Sequence, residues 1–436
     1  MFEKLKRAAL GAPVPHYKNT AKSTTVKMPL PAKIILPMQQ HIGAPCTVAV
    51  QKGDSVQVGT VVGKAGGFVS ADIHSGVSGT VEAIETVAFP NGAKVAAVVI
   101  VPDGNQTVDA SIAPPKLTDA KSLIAAAQKC GLVGLGGAGF PTAVKFSPRE
   151  GTVRDTLTIN GAECEPYITA DHREFLECSD SVMRGIAAVK KCLGIQKVII
   201  GIERNKPDAI DLMYSLTNGD ADYTVLPMES IYPQGAEKVL IEKATGREVP
   251  RGGLPADVGV LVMNVTTVSA LGKFVATGMP LTTKRLTIDG SAIKECKNVE
   301  VILGTPIADV LQFSALDTDA VAKVIMGGPM MGTAVLDVNF PVIKQNNAIL
   351  AFDAKQAALA KAGPCIRCGR CISACPMGLS PVEQTIAYEQ GDVAMLNKLM
   401  TDLCIGCGAC SFVCPAKRPL AQTIALAKIM QKNGGK

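Results

Sequence analysis

Between residues 30 and 84, apolar and polar positions alternate in short runs set off by Gly-rich turns, from LPAKIILPMQQHIGAP through QKGDSVQVGTVVGKAGG. A repeat of two places successive side chains on opposite faces, which predicts a small β-sandwich of short strands. The pattern changes at LTDAKSLIAAAQKCG, where Thr118 and Asp119 supply N-cap signals ahead of an Ala-rich run, and a helix ending at Gly131 is expected. DTLTIN, beginning at Asp155, predicts a strand, and PVEQTIAYEQGDVAMLNKLM, beginning at Pro381, predicts a helix broken around Gly391. The longest apolar stretch, VGVLVMNVTTVSAL after Asp257, runs for 14 residues with Asn264 in its middle. That is too short to cross a bilayer, so the chain is expected to have no transmembrane helix of its own.

At 436 residues the chain exceeds one ordinary core and predicts three or more compact units. MFEKLKRAAL lacks the apolar region and small-residue cleavage site of a secretory signal, which predicts a protein that stays in the cytoplasm. Lys and Arg number 44 against 38 Asp and Glu, a net charge of +6 with no basic block, and aromatic residues make up only 4% with no Trp. Nucleic acid is therefore not an expected partner. The mild positive excess fits an ordinary solvated surface, or docking to an acidic redox protein or an anionic membrane surface.

Cysteine usage changes the picture more. Six of the 14 cysteines, Cys46, Cys130, Cys164, Cys178, Cys192 and Cys296, are scattered and read as reduced core thiols. The other eight form CIRCGRCISACP from Cys365 and CIGCGACSFVCP from Cys404, so C-x-x-C-x-x-C-x-x-x-C-P occurs twice. Paired C-x-x-C units also bind zinc, but a tetrahedral zinc has no use for a third cysteine at the same interval or a proline after the fourth. The repeated run is the two-cluster ferredoxin pattern, in which the fourth cysteine ligates the other cubane. One 4Fe-4S cluster is thus assigned to Cys365, Cys368, Cys371 and Cys414, and the other to Cys404, Cys407, Cys410 and Cys375. Gly369, Gly406 and Gly408 let backbone N–H groups approach the sulfides. These readings predict a small helical electron-transfer module.

GLGGAGFPTAVKF, residues 134–146, contains G-x-G-x-x-G at Gly134, Gly136 and Gly139, the spacing of a dinucleotide-binding turn. Such a turn must follow a strand, whereas here a helix precedes it and DTLTIN comes after, so the spacing is read as coincidental. What remains is a Gly-rich loop leading into a helix at Pro141, with N–H groups for a phosphate or a flat ring and Lys145 as counter-charge. A plain glycine turn is the competing reading.

GLGGAGFPTAVKF, TLTINGAECEP, IYPQGAEK and MNVTTVSAL resemble, in that order, the FMN- and NADH-binding segments of the NADH-dehydrogenase subunit of respiratory complex I. The resemblance implies that Gly136, Gly137, Gly139 and Lys145 surround a non-covalent FMN and its phosphate, with Phe140 near the nicotinamide. It implies further that Asn160 contacts the flavin, that Glu163 and Glu165 lie where flavin and NAD(H) meet, and that Tyr232 and Asn264 close the pocket. Two positions depart from the relative: Ala162 stands where it has an acidic residue, and Ala236 replaces one of two paired glutamates, leaving Glu237. The alternative for Glu163 and Glu165 is that they merely cap the next helix.

QKGDSVQVGTVV followed by HSGVSGTV resembles the half-barrels of biotinyl and lipoyl carrier domains, with Phe68 where the modified lysine would be, so no attached biotin or lipoate is expected. PHYKNT, QHIGAP and GFVSADIHSGVSG resemble the C subunits of Rnf complexes, the membrane-bound NAD:ferredoxin oxidoreductases of bacteria. TKRLTIDGSAIKECKNVEVILGTPIADVL with VAKVIMGGPMMG resembles the β-grasp module (SLBB) that follows the flavin domain, read here as a spacer between flavin and clusters. The implied fold class is multidomain α/β. It comprises an N-terminal arm (1–28), a lipoyl-like β barrel-sandwich domain (29–105), an α/β FMN/NADH-binding domain (116–280), a β-grasp SLBB domain (281–352) and an α-helical ferredoxin-type domain with two 4Fe-4S clusters (353–436). The implied activity is hydride exchange between NAD(H) and FMN followed by single-electron transfer through the clusters, with no catalytic side chain beyond those that hold the cofactors. The implied partners are the membrane subunits and the ferredoxin-reactive iron–sulfur subunit of the complex, at the cytoplasmic face of the cell membrane. Two rivals are the flavin and iron–sulfur cobalamin reductase of bacterial microcompartments, which resembles the chain only from the Gly-rich loop onward, and an electron-wire or scaffold protein that binds no nucleotide. His16, His41, His74 and His172 lack metal-spaced partners and are expected to be structural.

Overall fold

The structure, a computed structural model, describes residues 11–147 and 151–434; the first ten residues of the expected arm fall outside the described residues. The alternating segment folds as two antiparallel sheets. One has the strand order Ile34–Pro37, Lys94–Pro102, Gly79–Ala88, Ser55–Val56, and the other Thr47–Val48, Val61–Lys64, Ile73–His74. Ile34, Leu36, Val62, Ile73, Val81 and Val98 fill the space between them, which is the burial that the period of two demands. The long strands Gly79–Ala88 and Lys94–Pro102 form a hairpin that projects beyond this barrel-sandwich.

After the helix Ala120–Lys129, capped by Asp119 through a reciprocal bond with Ser122, the chain enters a four-stranded parallel sheet. Its order is Tyr223–Met228, Lys197–Glu203, Thr156–Gly161, Val260–Asn264. The chain builds outward from Thr156–Gly161 in one direction and returns to add Val260–Asn264 on the other side. The carboxyl ends of these two strands therefore flank a topological switch point, the place where an open α/β sheet leaves a crevice. The apolar stretch around Asn264 is a buried strand followed by the helix Val265–Thr277. That helix crosses Ser179–Leu193 backbone to backbone: a Cβ on Gly185 would land on the Val268 carbonyl, and one on Gly272 on the Ser181 carbonyl.

A six-stranded mixed sheet follows, in the order Val26–Lys27, Lys297–Ile302, Thr283–Asp289, Ala348–Asp353, Val321–Met326, Thr333–Ala334. Its edge strand comes from the N-terminal arm, which is thus woven into the β-grasp unit. The last unit consists of the helices Arg370–Ser373, Pro381–Glu389, Val393–Lys398, Ala409–Phe412 and Leu420–Lys432. Gly391, at φ +69°, separates the second from the third. Gly369 and Gly408, at φ +74° and +77°, start the short helices that follow each C-x-x-C-G, a conformation that costs other residues about 1–2 kcal/mol.

Candidate functional site

A cavity of about 810 Å³ opens at the switch point. Its floor is Asn160 and Asn264, at the ends of the two central strands. Asn160 donates from Nδ2 to the Gly235 carbonyl (2.8 Å), and Asn264 donates to Asp171 Oδ2 (2.6 Å) while its Oδ1 accepts the Thr266 and Thr267 amides. Both asparagines therefore fix the floor as well as face it. The Gly-rich loop forms one wall with Gly136, Gly137 and Ala138. A side chain at Gly136 would collide with Asn264, and one at Gly139 (φ +68°) with Gln345, whereas Gly137 has nothing within 4 Å and is open to the cavity. Phe140 and Lys145 stand behind this wall and do not line it. Lys145 Nζ lies 2.9 Å from Glu237 Oε1 and 2.9 Å from the Val262 carbonyl. The helix after the loop starts at Thr142, with Pro141 as its cap.

The second wall is the turn 162–168. Glu163 accepts the Asp171 amide (2.6 Å) and the His172 amide (3.3 Å), so it caps the helix Ala170–Glu177 and lines the cavity at once. Glu165 accepts the Met330 amide (3.0 Å) and the Met331 amide (2.8 Å), bonds that tie it to the β-grasp unit and not to a helix. Burial pushes both carboxyls up to about 7. Two ammonium groups hold this turn from beneath. Lys18 donates to the carbonyls of Glu163 (2.7 Å), Glu165 (2.9 Å) and Ile168 (2.6 Å), and its burial lowers it to about 8. Lys206 donates to the Ala162 carbonyl (2.7 Å) and to Glu203 (3.3 Å). Cys164 also lines the cavity, its thiol pushed up to about 12 by burial. Ala162 sits among Met228, Leu240, Val260 and Val262, an apolar setting in which its methyl group is buried.

A third wall runs along residues 235–239, where the helix Glu237–Thr245 begins with no side-chain cap, leaving first-turn amides free to receive an anion. The remaining walls come from elsewhere in the sequence. The hairpin tip brings Phe89, Pro90 and Asn91, with Phe89 edge-on to Phe340 at 5.0 Å. The β-grasp unit brings residues 326–328, 331–333 and 345–347, and Gln345 Nε2 donates to the Ala138 carbonyl (3.2 Å). That unit is therefore part of the cavity, a correction to its reading as a spacer. Sequence reasoning missed Lys18, Lys206, Gln345 and the hairpin; only the lysine of PHYKNT lay in a motif already singled out.

Tyr232 is buried and donates its hydroxyl to the Cys407 carbonyl (2.6 Å). Through Met377, Ile405 and Cys407 the ferredoxin-type unit reaches the same cavity. Behind that contact, Cys375, Cys404, Cys407 and Cys410 line one small pocket, so the fourth cysteine of the first run lies beside the first three of the second. Backbone amides of Leu379 and Gly406 point at Cys375 Sγ (3.3 Å) and Cys404 Sγ (3.4 Å). Cys371 and Cys414 pack against the neighbouring Leu420 and Ile424, with Cys365 and Cys368 exposed at the surface. The histidine side chains line neither site: His172 pairs with Asp208 (2.7 Å), His41 accepts the Ala71 amide (3.2 Å), His74 is buried and lowered to about 3, and His16 contacts Asn205.

Comparisons with known proteins agree with this division of labour. Residues 7–105 match the RnfC barrel sandwich hybrid domain, 127–273 the Nuo51 FMN-binding domain and 364–418 the 4Fe-4S dicluster domain. The chain is 43% identical over 84% of its length to the C subunit of the proton-translocating ferredoxin:NAD(+) oxidoreductase complex of Clostridium ljungdahlii, covering 80% of that protein. It is 42% identical over 83% of its length to the C subunit of the Na(+)-translocating complex of Acetobacterium woodii, again covering 83% of the relative. Against the C subunit of the ion-translocating oxidoreductase complex of Rhodobacter capsulatus the identity is 38% over 95% of this chain and 81% of that one. A crystal structure of an NAD+-reducing [NiFe]-hydrogenase shares the fold, with a TM-score of 0.51 and 18% identity over 73% of this chain and 63% of that one.

Proposed function

The chain belongs to the family of C subunits of the ion-translocating ferredoxin:NAD(+) oxidoreductases, the Rnf complexes, and from that membership we propose that the cavity at the switch point is where FMN and NAD(H) meet. The protein is an oxidoreductase component that carries FMN and two 4Fe-4S clusters and takes NAD(H) as substrate. Among the described residues no helix is long and apolar enough to cross a membrane, and we propose that the chain works as a peripheral member of the complex. We place it on the cytoplasmic face, where NAD(H) is found.

When bound, the flavin supplies the exchange between a hydride and single electrons. The chain's own residues position and shield it. Gly137 leaves room for a ring against the loop, and the uncapped first-turn amides at residues 237–239 suit a phosphate. Asn160 and Asn264 hold the floor, Glu163 and Glu165 stand at the meeting place, and Lys145 acts through Glu237 as a positioning residue. The fit of the cavity is supported by its size, comparable to that of sites for large ligands, and by the glycines that keep it open. The crossed ligand sets, Cys365, Cys368, Cys371 and Cys414 against Cys404, Cys407, Cys410 and Cys375, are supported by the pocket that four of these thiols share. We propose that the Cys404 set is the inner cluster and the Cys365 set, at the surface, the outlet to other subunits. The observation that carries this reading is Cys407, which belongs to both the thiol pocket and the nucleotide cavity. The domain limits 29–105, 116–280, 281–352 and 353–436 remain our proposed division, with the arm anchored to two of these units.

The test is an anaerobic preparation assayed for flavin, iron and zinc. About eight irons and one released, non-covalent FMN are expected, with visible bleaching on adding NADH. Stoichiometric zinc, or flavin that NADH leaves oxidised, would overturn the reading.

A further inference from the structure

The turn at residues 327–332 has two faces. Gly327, Gly328, Met331 and Gly332 line the nucleotide cavity. On the other face, Met330 joins the apolar group of Tyr232, Cys407 and Ala409, and its carbonyl lies against Gly408, where an added Cβ would stand 3.1 Å away. One side chain holds the turn in this position. Glu165 receives the Met330 amide at 3.0 Å and the Met331 amide at 2.8 Å, and only a glycine at 328 allows the approach, since a Cβ there would land on the carboxylate.

We propose that this turn, held by Glu165, is the mechanical link between the nucleotide cavity and the inner cluster, so that a nicotinamide ring entering the cavity changes the surroundings of the Cys404 set. The proposal rests on the cavity assignment made above. Its physical basis is competition: two amides gripped by one carboxyl group make a two-bond clamp, and a polar ligand group that engages Glu165 draws on the same oxygens. Close-packed contacts transmit such a shift, because Met330 packs in the same group as Tyr232 and Cys407 and its carbonyl faces Gly408. Tyr232 bonds the Cys407 carbonyl, and hydrogen bonding and exclusion of water near the sulfurs tune a cluster. Glu165 is thus a positioning residue for electron transfer, acting through the β-grasp unit.

The experiment is electron paramagnetic resonance on dithionite-reduced holoprotein, with and without tetrahydro-NADH, a nucleotide whose partly saturated ring cannot become aromatic and so does not give up hydride. In the wild type the nucleotide should shift the signal of one cluster, the one abolished by Cys407→Ala, and leave the other unchanged. Gly328→Ala keeps the carboxylate but forces the turn away from it, and Glu165→Gln weakens the grip; in both, the nucleotide-dependent shift should be lost while two cluster signals remain. A wild-type signal that ignores a nucleotide shown by calorimetry to bind, or a shift that survives in Gly328→Ala, would overturn the link. Absence of nucleotide binding, or of cluster signals in the wild type, would instead defeat the cavity or cluster assignment on which the link rests.

Discussion

Lys145 ends behind the cavity wall, on Glu237 and the Val262 carbonyl, although its place one turn after the Gly-rich loop suggests a contact with phosphate. The pair is partly exposed, 32% and 41%, so it is worth about 1 kcal/mol at most. Lys145→Ala should therefore weaken FMN binding by less than about tenfold in a dialysis titration; a loss of a hundredfold or more would put its ammonium on the phosphate. Lys18 is the opposite case, an ordinary lysine by sequence whose removal strands three carbonyls beneath the turn 162–168. Lys18→Ala should cost about 3 kcal/mol or more in urea unfolding and reduce flavin retention, and a change below about 1 kcal/mol would show that water replaces it. Gly137→Ala has room to fold, so its thermal midpoint should match the wild type while FMN occupancy drops. The glycines and cysteines were legible in the sequence because each answers a local demand of backbone or ligand, whereas the asparagines at strand ends came only through the family resemblance. Lys18, Lys206 and Gln345 were not, since each acts on backbone carbonyls far away in the chain and such carbonyls leave no mark in side-chain patterns.

Elements with a clear period or cap were legible: the helix closed by Asp119 and Ser122, the strand Thr156–Gly161, and the helix interrupted at Gly391. Elements defined by their neighbours were not. Val26–Lys27 is two exposed residues that become a strand only by pairing with Lys297–Ile302, and the hairpin tip at residues 89–91 gains meaning only from the cavity it reaches. The crossing of Ser179–Leu193 with Val265–Thr277 depends on Gly185 and Gly272, each pressed on a carbonyl of the other helix. Alanine at either position should destabilise the protein by about 1–3 kcal/mol in denaturant unfolding, the cost of overpacking a close contact. Because that second helix starts at Asn264, the same variants should loosen FMN, and tight FMN binding in an otherwise destabilised Gly185→Ala would separate the crossing from the floor of the cavity.

Across the whole molecule, the order of units in the sequence differs from the order in which they act. The barrel-sandwich hairpin, the N-terminal arm and the β-grasp unit all converge on the flavin-type sheet, and the ferredoxin-type unit meets that assembly through the loop of its second cysteine run and through Met377 after the first. The cysteine repeat made two clusters legible, but which one faces the nucleotide depends on docking between units, set by contacts such as Tyr232 to Cys407 and Arg251 to Asp402 (2.6 Å). The central claim is a single route from the nucleotide cavity through the inner cluster to the outer one. Its most direct test is freeze-quench electron paramagnetic resonance of Cys375→Ser after mixing with NADH. Crossed ligation with the Cys404 set innermost predicts that the flavin is still reduced, that the altered signal belongs to the cluster of Cys404, Cys407 and Cys410, and that electrons reach the intact outer cluster far more slowly than in the wild type. An altered cluster of Cys365, Cys368 and Cys371, or wild-type rates into the outer cluster, would contradict it.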